Sequence, residues 1–166
     1  MSRSARSRRS RSRSRRHYRF TPDIPSPGMP LTGPEEALRI VLAAASDPPR
    51  AETIAVLLDG AHRGLRPCVV CDGASSARQV VELGELLVAV AVREPALGAV
   101  VLASARPGRG IELAADDEAA FYELRHDMAD IGVDLLDWFL LDDGLAASVC
   151  ELTDGCWHWT TESPKW

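Results

Sequence analysis

Hydrophobic and polar positions along the chain switch between two periods, and the switches divide residues 34–152 into eight elements. Pro34 is a favourable first helical residue, and Glu35 and Glu36 complement the positive end of a helix dipole. Leu38, Val41, Leu42 and Ala45 then mark one face, so the spacing predicts a short helix. After Asp47-Pro48-Pro49, the run 52–59 (ETIAVLLD) reads as a strand, 60–64 as a turn and 65–71 as an antiparallel partner, a β-hairpin. Across 77–92, apolar residues stand at 80, 83, 87 and 90 with Glu82 and Glu85 off that face, the spacing of a single helix.

The nearly unbroken apolar run 97–103 (LGAVVLA) predicts a strand covered on both faces in the middle of a sheet. Beyond a polar loop at 104–110, Asp117, Phe121, Leu124, Met128 and Ile131 define the inward stripe of a third helix that Gly132 ends. The run 133–141 (VDLLDWFLL) is again strand-like, and Asp142-Asp143-Gly144 turns the chain into a last strand over 146–152. The order α-β-β-α-β-α-β-β predicts an α/β (α+β) domain, a mixed β-sheet flanked by helices.

Composition divides the chain further. At 166 residues and 46% apolar content the sequence suits one domain with a real core, placed at 34–152. Residues 1–20 hold nine Arg and no acid in almost an Arg-Ser repeat, without apolar surface to offset the entropy of ordering, so a disordered leader is expected. Residues 21–33 read as a Pro/Gly-rich linker and 153–166 as an aromatic-rich tail. The leader carries +9 and the remainder −14. An acidic body does not attract a polyanion, so any nucleic-acid contact is expected through residues 1–20, with Tyr18 and Phe20 available to stack on bases. A merely solubilising role for the leader stays equally open. No apolar run is long enough to cross a bilayer and no export signal is seen, so no membrane partner is expected. Four scattered cysteines suit a reducing, cytoplasmic compartment.

The segment 102–121 (LASARPGRGIELAADDEAAF) follows the central apolar strand, where α/β sheets commonly place their sites. Together with Gly132 and Leu135-Leu136-Asp137, it resembles the RadC branch of the JAB/MPN metallohydrolase family. Members carry a strand with a catalytic Glu, an apolar strand ending in His-x-His-Pro-Ser-Gly, a helix opening with a metal-binding Asp, and a strand reading Leu-Leu-Asp-His. The resemblance runs from Glu52 to about Glu151 and implies a JAB/MPN, cytidine deaminase-like architecture. It implies that Asp117 matches the third metal ligand and Glu52 the catalytic acid/base. Aligning Pro107 with the family proline puts Ser104 and Arg106 where the two histidines belong.

Such enzymes hold zinc with three protein ligands and lower the pKa of a bound water. A hydroxyl is a poor zinc ligand and a guanidinium is none, so the resemblance implies a degenerate site: no metal, no cofactor and no intact catalytic set. A pseudoenzyme serving as a binding or scaffolding module for a protein partner is the expected function. Arg106 is expected either to replace the cation through a bidentate pair with Asp117, with Glu52 nearby, or to point into water while Asp117 complements its own helix. Two other functions stay open: a zinc-dependent peptide or isopeptide hydrolase recruiting His62 or His126 with Asp117 and Glu52, and a nucleic-acid-associated protein acting through the leader.

Other constellations carry less. Cys68 and Cys71 have C-x-x-C spacing but fall in a predicted strand, which aims residues three apart at opposite faces. Cys150 and Cys156 flank a turn. His17, His62, His126 and His158 form no i,i+4 pair. The basic, Gly-rich run 106–110 is similar to a phosphate-cradling loop only in composition. Trp157, Trp159 and Trp166 crowd the C-terminus, either capping the core edge or forming a docking segment.

Overall fold

A computed structural model of the chain describes residues 28–65, 69–73, 75–153 and 159. The leader, residues 21–27 of the expected linker, Cys68, Cys156, His158, Trp157 and Trp166 lie outside the described residues. In chain order the elements are α1 (Pro34–Ala44), β1 (Glu52–Asp59), β2 (Val69–Asp72), α2 (Ala77–Arg93) and β3 (Leu97–Ala105). They continue with α3 (Ala115–Asp130), β4 (Asp134–Asp142), β5 (Leu145–Ser148) and α4 (Val149–Leu152). The five strands form one mixed sheet in the order β2-β1-β3-β4-β5, with β3 and β4 parallel and the other pairs antiparallel.

Side chains alternate across a strand, so each central strand feeds two cores. Ile54, Val56 and Leu58 of β1 join Ala99, Val101 and Ala103 of β3 beneath α1. Ala55 and Leu57 join Val100 and Leu102 on the opposite face, beneath α2 and α3. The apolar run of β3 is accordingly buried on both sides, as its composition predicts. A register irregularity between Val100 and Val101 passes Val100 opposite Leu135 and Val101 opposite Asp137, leaving Leu136 as an extra residue in β4. That bulge reverses the alternation, so Leu135 and Trp138, three apart, both enter the α2/α3 core.

The helices are anchored locally. Ser76 and Gln79 form a reciprocal capping box at the start of α2. Midway along α2, a Cβ built on Gly84 comes within 2.7 Å of Leu124 Cδ1, so any larger residue there displaces the end of the Leu124 side chain.

Four expectations are corrected. Ile131, assigned to the inward stripe of α3, caps that helix and is 39% exposed, because the helix has ended before its face turns inward again. The last strand stops at Ser148 rather than 152, since the Ser148 hydroxyl accepts from Glu151 N–H and starts the short α4. The second strand, expected over 65–71, runs one residue further: among the described residues β2 is Val69–Asp72, and Leu65 N–H bonds to the Leu57 carbonyl. The linker also contributes to the domain, because Leu31 is buried beneath α1 and its N–H bonds to the His62 carbonyl. Among the described residues no helix is long and apolar enough to cross a membrane.

Candidate functional site

Arg106 follows the last residue of β3, and its backbone N–H continues the parallel ladder by donating to Leu141 O at 2.8 Å. That bond fixes its parity: Val100, Leu102, Ser104 and Arg106 share the α2/α3 face. Asp117 occupies the first turn of α3 on the inward stripe, where Ala114 N–H donates to its Oδ2 at 3.1 Å. The two meet in a fork. Arg106 Nη1 donates to Asp117 Oδ2 at 2.8 Å and Nη2 to Oδ1 at 2.7 Å, and the residues are 8% and 3% exposed.

A third donor, Nε, reaches Ser75 O at 2.7 Å just ahead of α2, so one guanidinium ties together β3, α2 and α3. Its carbon also lies 5.5 Å from the centre of the Trp138 ring. Of the two placements open for Arg106, the buried bidentate pair is the one found, and the water-pointing alternative is corrected.

Ser104 lies alongside. Its buried hydroxyl is 3.2 Å from Thr53 Oγ1 and accepts the Trp138 indole N–H at 3.0 Å. Neither neighbour is a base, so the hydroxyl is not activated as a nucleophile. A hydroxyl, a guanidinium and one already paired carboxylate do not fit a zinc ion, which needs deprotonated donors converging on one point.

Glu52 is not part of this group, contrary to the expectation that it stands near Asp117. It pairs with Ala105 across β1 and β3 and faces the α1 side, whereas Thr53 pairs with Ser104 and faces the α2/α3 side. A one-residue step along a strand exchanges the faces. At its own position Glu52 is fully buried, accepting Ser46 N–H and Ser46 Oγ–H, both at 2.7 Å, and the Arg50 Nε–H at 3.3 Å. Burial pushes its carboxyl up, but the Ser46 bonds and Arg50 outweigh that, and the net shift is below the usual range.

The alternative ligand set is likewise not gathered. His62 lies beyond the opposite end of β1 from Glu52, about 25 Å along the strand. His126 projects into solvent, 4.0 Å from Asp130, more than two turns along α3 from Asp117. The phosphate-cradling reading of 106–110 also gives way. The N–H groups of Gly108 and Gly110 donate to the two Asp142 carboxylate oxygens at 2.8 and 2.7 Å, so an internal anion fills the loop. Cys71 is half-buried and Cys150 buried, both within the α2/α3 core. Trp159 packs edge-on to the His62 ring at 6.3 Å and closes the α1-side core, the capping role among the two considered.

Three participants escaped the sequence reading: Ser75, Thr53 and Trp138. Only Trp138 carried a signal, since it follows Leu135-Leu136-Asp137, where the resembling family has His. Compared with known proteins, the chain matches no protein-family model and no curated protein.

Proposed function

We propose that the chain is a catalytically degenerate RadC-like JAB domain acting as a binding or scaffolding module for a protein partner, its metal pocket closed by Arg106. One observation carries the reading: the guanidinium that stands where a ligand histidine would be forms a buried fork with the carboxylate that would hold the metal. A zinc ion in such a place offsets the carboxylate's charge, and here Arg106 supplies that offset permanently. Trp138, which follows Leu135-Leu136-Asp137 where the resembling family has His, adds bulk beside Ser104 and Arg106. The reading is further supported by Thr53, rather than a carboxylate, being the β1 residue that meets Ser104.

The test is to restore the missing pair with Ser104→His and Arg106→His together and titrate zinc by calorimetry. The double variant is expected to take up about one equivalent, lost again on adding Asp117→Ala, while the unaltered chain takes up none. Failure of the double variant to bind zinc overturns the family placement of the loop. Stoichiometric zinc in the unaltered chain, abolished by Asp117→Ala, overturns the degenerate reading in favour of a hydrolase.

A further inference from the structure

On the α1 face, at the ends of β3 and β4, opens a cleft of about 530 Å³ that is separate from the Arg106 pocket. Its floor is apolar, formed by Leu42, Ala105 and Leu141. Its charged lining is of one sign: Asp47, Glu52, Asp142 and Asp143 border it, and among the described residues no Lys, Arg or His does. Glu52 is engaged by Ser46 and Arg50, and Asp142 by Gly108 and Gly110, whereas Asp47 and Asp143 stand exposed on the rim. A volume of this size suits a ligand or a short peptide. The chemistry it selects is a cation beside an apolar or aromatic group.

The chain carries such a segment. Residues 15–20 read Arg-Arg-His-Tyr-Arg-Phe, at the end of a leader holding nine arginines and no acid. Reach permits the same residues. The first described residues are fixed beyond the far end of β1, where Pro30 bridges to Arg63 and Leu31 bonds to His62, while the cleft lies at the Glu52 end. The eight-residue strand between them spans roughly 23 Å from end to end. Eight Cα–Cα steps lead from Phe20 to Gly28, and an extended chain of that length spans at most about 26–29 Å. Phe20 and the residues just before it are therefore within reach of the cleft.

We infer that residues 15–20 dock in this cleft, with arginines against Asp47 and Asp143 and an aromatic ring of Tyr18 or Phe20 on the apolar floor. Tethering makes the contact intramolecular, so weak, salt-screened pairs suffice at the millimolar effective concentration of a short linker. The inference is independent of the degenerate-pocket reading, because the cleft and the pocket lie on opposite faces of the sheet.

Site-specific crosslinking in the full chain tests it, with a benzophenone amino acid replacing Phe20 and mass spectrometry locating the products. Irradiation at low salt is expected to join position 20 to residues 42–49 or 141–145 of the same chain. Asp47→Asn with Asp143→Asn should cut that yield at least fivefold, as should 0.5 M salt. Asn is chosen because it tolerates the positive φ of Asp143, and an unchanged melting temperature confirms that the variant is folded. Crosslinks elsewhere on the body, between two chains or to co-purifying nucleic acid overturn the inference, as do absence of any product and a yield indifferent to the two Asn substitutions.

Discussion

The guanidinium of Arg106 and the carboxylate of Asp117 are joined by two parallel hydrogen bonds of 2.8 and 2.7 Å with almost no solvent access. Removing either partner alone leaves an uncompensated buried charge, which typically costs about 3–5 kcal/mol. Arg106→Ala and Asp117→Ala are each expected to lose stability of that order in urea denaturation. The double variant should lose clearly less than the sum, because neither charge remains. Arg106→Lys should not rescue, since a point charge cannot reproduce the fork and the bond to Ser75 together. Additive single effects would remove the pair from its place at the centre of the pocket.

Glu52 supplies a contrasting case. Because it faces α1 while Arg106 faces α2 and α3, the two sites share no partner. Glu52→Gln weakens the charge-assisted bonds from Ser46 and Arg50 and should cost about 1–3 kcal/mol at neutral pH. Combined with Arg106→Ala, its effect should add to within about 0.5 kcal/mol. The depressed carboxyl pKa stabilises the fold above the ordinary value of 4.5, and that contribution is lost as pH falls through the lower folded value. The Gln variant should accordingly show a flatter acid limb. Strong coupling between the two substitutions would mean that they occupy one site.

The legible and illegible parts of this molecule divide along a physical line. Local patterns carried β1, whose bounds were read to the residue, and the inward placement of Asp117, which followed from its spacing to Phe121 and Leu124. Faces did not follow so directly. Whether Glu52 or Thr53 meets Ser104 depends on the register between β1 and β3, fifty residues apart, and a single residue decides it. Trp138 reaches the pocket only because a bulge at Leu136 resets the alternation of β4. The capture of the Gly108–Gly110 loop by Asp142 is a contact between residues more than thirty apart, which composition cannot disclose.

Gly98 tests how tightly β3 is seated. A Cβ built there lies 2.5 Å from Gly60 Cα and 2.6 Å from Gly60 N, backbone atoms that have no rotamer to yield. Gly98→Ala must push the turn after β1 away from β3, and overpacking of this kind costs about 1–3 kcal/mol. Gly84→Ala meets only the end of the Leu124 side chain and should cost less, the helix preference of Ala offsetting part of the strain. Equal melting temperatures for the two variants would contradict this ranking.

Asp137 sets the pH dependence in the opposite direction from Glu52. It is fully buried between β4 and the start of α4, and burial pushes its carboxyl from 3.8 up to about 6. The Ser148 hydroxyl and the N–H groups of Trp138 and Cys150 hold it back from rising further. A raised folded pKa means that the native state binds the proton more tightly than the unfolded chain. The contribution is fully present below about 4 and is lost as pH rises through about 6, a change on the order of 3 kcal/mol. Asp137→Asn keeps an acceptor for Trp138 N–H but cannot ionise. Relative to the unaltered chain, it should therefore gain about 3 kcal/mol between pH 4 and pH 8 when both are followed by chemical denaturation. A stability difference that stays constant across that range would show that the carboxyl titrates at its ordinary value despite its burial.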